Sequence, residues 1–275
     1  MFKEEPYPFG PPNRPIPCVR LGKLAPKRLL GTPALGDYQE KASTWPAVKP
    51  RGWEYAVPSS ALDCLGNDTA GDCVIAAMMH YAQADTANTG NPLTPTRQLA
   101  LETYSALTGY DPKQTDANGD NPTDNGTCYS DALAYWRHHG IPMLDGKGNI
   151  VLHKIIGWAS LDLGSLAQQR YACDIFGGTL LGIQCPVSAM RDTSNWRYDP
   201  ASKIESGHGV CRVGQGSAGW HLGSWGKWIP TTNEFTLKLA DEDYAVVTPA
   251  WIDSRTGQSP SGMDLNGLLT AMKGL

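Results

Sequence analysis

Cys73 stands directly after Gly71-Asp72 and opens a run, Val74 to Ala87, that is rich in Ala and Met and free of Gly and Pro. Such a run is a strong helix former, and Gly-Asp supplies a plausible start. A cysteine at a helix N-terminus faces unpaired N–H groups and the positive end of the helix dipole. The spacing therefore predicts a depressed thiol pKa and a sulfur nucleophile. A cysteine nucleophile also needs a base. Of the six histidines, His208 has the most open surroundings, Gly207-His208-Gly209-Val210, just ahead of a predicted strand. Asn67, six residues before Cys73, has a side-chain amide that could donate to an oxyanion beside the Cys73 backbone N–H. The chemistry these residues would perform is thiolate attack on an acyl carbon, with the imidazole first as base and then as acid.

Other candidates read as structure. His80 lies two turns along the Cys73 helix, too far to act as its base, and His221 sits between Trp220 and Leu222 as a packing residue. His138-His139 closes a helix, where a cation complements the dipole. The loop from Asp116 to Asp120 alternates oxygen ligands but has Asn121 and Thr127 where a calcium hand needs Gly and Glu, so it reads as a solvated acidic loop. Seven irregularly spaced cysteines without paired CxxC units predict reduced thiols and no metal site. No Gly-rich phosphate loop followed by Lys-Ser/Thr occurs, so no cofactor is expected.

The elements that must position this chemistry follow from pattern. Helices are predicted over 74–87, 96–107, 130–139 and 165–176. Strands are predicted over 179–184, 209–213, 220–225, 235–239 and 244–248. Helices first and strands later indicate an α+β chain of two lobes: a helical one over 59–145 carrying Cys73 and a strand-rich one over 146–275 carrying His208. Residues 1–58 hold eleven of the 21 prolines, with nine Lys/Arg against five Asp/Glu, whereas the remainder has fourteen against 22. This is an extended basic arm with an acidic body to dock on, in the same molecule or in a neighbouring subunit. A net charge of −4 and a pI near 5.8 argue against nucleic acid as a partner. No apolar run approaches the ~18 residues of a membrane span. The first seventeen residues have six prolines and no apolar core, which predicts no secretion signal.

The string Asn67-Asp68-Thr69-Ala70-Gly71-Asp72-Cys73-Val74 resembles the active-site segment of papain-like cysteine peptidases, with Asn67 in place of their Gln. Three later patches are similar to the same family in the same order: Asn125-Gly126 with Ala132 to Tyr135, then Gly207-His208-Gly209-Val210, then Ser224-Trp225-Gly226. The resemblance implies a papain-like two-lobed fold with a catalytic Cys73/His208 pair and Asn67 at the oxyanion. Substrate backbone would lie along Gly126 and Gly207, and Trp225 would cover the imidazole. It also places the family's orienting Asn on Gly223, which has no side chain to hold the ring. The Gly-Asn-Asp-x-x-Gly-Asp-Cys pattern, with Ser259 to Leu265 late in the chain, looks like phage and prophage papain-like proteins. The expected function is hydrolysis of a peptide or isopeptide bond in a polypeptide or cell-wall peptide, in the host cytoplasm or virion. The alternative is a non-catalytic virion structural or decoration protein that reuses the fold, its arm contacting neighbouring subunits.

Overall fold

Helix α1 (Cys73–Asn88) is apolar on every face, and its residues are buried from Cys73 to Thr86. A helix of that kind must be packed on all sides, and α1 accordingly lies between a helical lobe and a sheet. In the computed structural model, residues 20–27, 29–39, 52–216, 219–254 and 264–275 are described. Most of the predicted arm, Cys18 and residues 255–263 lie outside them.

On one side of α1 are α2 (Arg97–Thr108), α3 (Tyr129–His138) and the hairpin β1 (Ile141–Leu144) with β2 (Ile150–His153). Thr96 caps α2 by accepting from the Leu99 N–H, and Gly109 closes it in the left-handed region at φ 77°. Residue 145 lies in the turn of the β1–β2 hairpin. On the other side is an antiparallel six-stranded sheet built from β3 (Gly157–Ser160), β4 (Thr179–Pro186), β5 (Ile204–Gln215), β6 (Gly219–Ser224), β7 (Lys227–Thr232) and β8 (Ala240–Val247). Its order is β3-β8-β4-β5-β6-β7. Helices α4 (Leu166–Phe176), α5 (Val187–Arg191), α6 (Asn233–Leu239), α7 (Pro249–Ser254) and α8 (Leu265–Met272) complete the chain. The molecule is α+β, helical on one side and strand-rich on the other, as its patterning predicts.

One predicted strand is wrong. Residues 235–239 form α6, because Thr232 caps it by accepting from the Phe235 N–H and because Phe235 and Leu239, one helical turn apart, are both buried. The alternation Phe-Thr-Leu-Lys-Leu concealed that spacing.

The described part of the arm runs against the body of its own chain. Lys23 bridges Thr127, Ala34 bridges Ser160 and Gly52 bridges Gly214. Short 3-10 turns, Leu35–Tyr38 and Trp53–Ala56, interrupt its extended course.

Candidate active site

Cys73 begins α1, and its Sγ accepts a hydrogen bond from the Gly209 N–H of β5 at 3.3 Å. The approach is close because residue 209 lacks a side chain: a Cβ there would meet Val74 Cα and Tyr129 Oη at 3.1 Å. Gly209 thus lets the sheet touch the first turn of α1, and His208 is the next residue along. The two residues singled out in the sequence converge through that glycine.

The imidazole of His208 is held by a residue whose role the sequence did not reveal. Its Nε2 lies 2.7 Å from Ser224 Oγ, and its Nδ1 is buried without a hydrogen-bond partner among the described residues. Successive strand residues point to opposite faces. Ser224 therefore faces His208 while Gly223 faces away, where a Cβ would meet Trp228 at 2.5 Å and Cys211 Sγ at 2.6 Å. The ring is held from residue 224, not from residue 223. Trp225 stacks on His208 with centroids 4.5 Å apart and planes at 24°, and Trp196 meets both rings edge-on. Trp225 and Gly226 form the two-residue turn between β6 and β7, with φ 45° and 71°. Positive φ at both positions suits a hairpin turn, but for a non-glycine it costs about 1–2 kcal/mol. The strained turn sets the indole over the imidazole.

Gly71, Gly126 and Gly207 line a cleft beside these residues. Asp124 accepts the Gly71 N–H at 3.0 Å and the Tyr104 hydroxyl at 2.7 Å, and Tyr104 Oη in turn accepts the Gly126 N–H at 2.8 Å. One Tyr–Asp pair therefore fixes both glycines of that rim. The cleft is occupied by the chain itself. Arg20 N–H donates to Asn67 O (3.0 Å), Thr127 N–H to Gly22 O (2.9 Å), Leu24 N–H to Thr127 O (2.9 Å) and Lys23 N–H to Gly207 O (3.3 Å). A Cβ at Gly126 or at Gly207 would collide with this segment's carbonyl oxygens. The Gly22 N–H also lies against Cys73 Sγ.

No family model matches the sequence, and no curated protein matches it. Solved structures do. Xylellain, a cysteine protease from Xylella fastidiosa, superimposes with a TM-score of 0.62 at 12% identity, covering 86% of this chain and 98% of its own. Procathepsin L 3 of Tenebrio molitor larval midgut gives 0.55 at 16%, covering 84% and 76%. Procathepsin B S9 from Trypanosoma congolense gives 0.53 at 11%, covering 83% and 86%.

The fold is papain-like.

Within this papain-like cleft the predicted thiol activation is reversed. Both Cys73 and His208 are about 1% exposed. Burial pushes the Cys73 thiol up to about 11, against the opposing pull of the Gly209 and Gly22 N–H groups. Burial, aided by the Lys23 ammonium, pushes His208 down to about 3. Removing water disfavours both charged forms, so the covered pair is neutral. Asp72 is buried as well and held well above the usual carboxylate range, first by desolvation and then by Asp124. Asn67 is buried; its Nδ2 donates to Ala70 O at 3.1 Å, and its side-chain amide also faces the Asp72 carboxyl. Among the described residues no group of three or more His, Cys, Asp or Glu could hold a metal ion. No helix among them is long and apolar enough to cross a membrane. Sequence reasoning missed Ser224 as the partner of His208, the Tyr104–Asp124 brace and the segment at 20–24. The one local signal for the last was Leu21-Gly22-Lys23, a small residue flanked by two that can anchor.

Proposed function

We propose that this protein is a papain-like cysteine hydrolase of peptide or isopeptide bonds, held latent by its own residues 20–24. The observation that carries the reading is the set Cys73, His208 and Ser224, joined by the Gly209 N–H on Sγ and capped by Trp225. With the cleft open, His208 Nδ1 takes the proton of Cys73 and Sγ attacks the substrate carbonyl carbon. The oxyanion is received by the Cys73 N–H and the side-chain amide of Asn67. The C–N bond then breaks, the amine leaves with the proton from His208, and water hydrolyses the thioester. Ser224 holds the imidazole ring, and Gly126 and Gly207 bind substrate backbone where the segment now lies.

Latency rests on orientation. The group that the segment sets against the sulfur is an N–H, and the Gly22 carbonyl is turned to Thr127, so the segment covers the nucleophile without offering it an acyl carbon. Two of the similar structures are likewise described as procathepsins. An origin in a phage or prophage rests on the motif resemblance alone. A second reading, a scaffold that reuses the fold without catalysis, draws on the same covered and neutral pair.

The deciding experiment incubates full-length Lys23→Ala and Lys23→Ala/Cys73→Ala with a peptide library and reads new termini by mass spectrometry. Cleavage that depends on Cys73 is the expected result. No cleavage by either protein, with Cys73 alkylated no faster than Cys64, overturns the hydrolase reading in favour of the scaffold.

A further inference from the structure

The side chain of Lys23 is fully buried although it belongs to the segment that crosses the cleft. Its Nζ lies 3.0 Å from Asp241 Oδ1 and 3.0 Å from Glu242 Oε1, and it donates to the Leu24 carbonyl at 3.1 Å. The two carboxylates are positioned from behind: Gln184 Nε2 donates to Asp241 Oδ2 at 2.5 Å and the Tyr244 hydroxyl to Glu242 Oε2 at 3.0 Å. Room for the stem comes from glycine. A Cβ at Gly182 of β4 would collide with Lys23 Cε, and one at Gly207 of β5 with the Lys23 carbonyl. β4, β5 and β8 thus contribute, side by side, a floor without side chains and an acidic end.

Two adjacent carboxylates, one almost wholly buried, repel each other unless a cation sits between them. An apolar side chain in this slot would leave that repulsion uncompensated, and an acidic one would add to it. An unbranched ammonium removes it and fits the glycine floor. The slot opens one residue from Gly22, whose N–H touches the nucleophile.

We infer that the slot formed by Gly182, Gly207, Gln184, Asp241 and Glu242 is a substrate-specificity site, selecting polypeptides with a lysine one or two residues from the bond that is cut. Lys23 fills it in the latent chain as an internal copy of the preferred side chain. This inference rests on the hydrolase reading above.

The test uses full-length Lys23→Ala, which vacates the slot. Tripeptidyl chloromethyl ketones of one length, with Lys, Leu or Glu at each of the two residues next to the reactive group, are reacted with it. The rate of Cys73 modification is read by peptide mass spectrometry, with iodoacetamide as a probe of the sulfur alone. The expected result is modification at least tenfold faster with Lys than with Leu at one of the two positions, and slowest with Glu. Adding Asp241→Asn and Glu242→Gln should bring Lys and Leu within about twofold of each other. Equal rates for Lys, Leu and Glu, with Cys73 modified rapidly by all, overturn the specificity inference and leave the hydrolase reading standing. No modification by any peptide reagent, together with iodoacetamide reactivity no greater than that of Cys64, overturns both. Lys23→Met keeps the stem without the charge and takes the same panel should Lys23→Ala not fold.

Discussion

Replacing Lys23 by alanine should uncover Cys73. Removing one partner from a buried ion pair costs about 3–5 kcal/mol, because the other partner is left uncompensated. Asp241 keeps some solvent contact, 16% of its side chain, while Glu242 keeps 4%, so the low end, about 3 kcal/mol, is the appropriate figure. The cost falls on the covered form alone, since Lys23 is solvated once the segment lifts. At about 1.4 kcal/mol per decade, the uncovered population rises about 100-fold. In the covered form the thiol, pushed up to about 11, is almost wholly protonated at pH 7.5 and out of reach of a reagent. Alkylation therefore proceeds through the uncovered state and its rate follows that population. The assay is iodoacetamide labelling of the full chain at pH 7.5, followed at Cys73 by mass spectrometry with Cys173 and Cys211, both buried elsewhere, as references. A rise at Cys73 of more than tenfold, with the references unchanged, is expected. A Cys73 rate within twofold of wild type in a folded variant would refute the reasoning, because it would show that the ion pair does not hold the segment down.

The remaining predictions concern the same site. His208, pushed down to about 3 when covered, favours the covered form above its ordinary pKa near 6.5 and opposes it as the pH falls towards 3. Hydrogen exchange at the Lys23 and Leu24 amides, corrected for intrinsic rates, should therefore quicken by up to about tenfold per pH unit below 6.5, and a flat profile would contradict this. Ser224→Ala leaves His208 Nε2 without its partner, at about 1–3 kcal/mol. We expect a 10- to 100-fold loss in kcat/KM of the Lys23→Ala background, measured on a cleaved peptide, with KM little changed. Gly223→Asn, which introduces the residue that the motif resemblance places there, should not raise activity. It forces a side chain against Trp228 and Cys211 and should lower stability by about 1–3 kcal/mol in urea unfolding. Tyr104→Phe leaves the Gly126 N–H without its acceptor and Asp124 with the Gly71 N–H alone; the expected outcome is a lower Tm and a raised KM for peptide, whereas an unchanged KM would deny the brace a role in binding.

Much of this arrangement is written locally. The run after Cys73 can only be a buried helix, and its start fixes where the sulfur emerges. Gly207-His208-Gly209 reads as a strand that something must approach closely, and in the structure α1 approaches at Gly209. Other features depend on which residues meet across long stretches of chain. Whether residue 223 or 224 faces His208 is a matter of strand facing, and a motif aligned on Gly223 picks the wrong face. The helix at 233–239 was hidden because an alternating pattern and an i, i+4 pair coexist in five residues. The ionisation of Cys73 went the other way from the sequence argument, since a helix N-terminus favours a thiolate only while water or a counter-charge accompanies it, and residues 20–24 exclude the water. The sequence alone singled out Cys73 and His208 and determined the α+β order, because composition and short-range spacing carry them. Only the tertiary structure decided that Ser224 holds the ring, that Lys23 lies between Asp241 and Glu242, and that the site is covered, because burial and long-range pairing arise when the chain closes on itself.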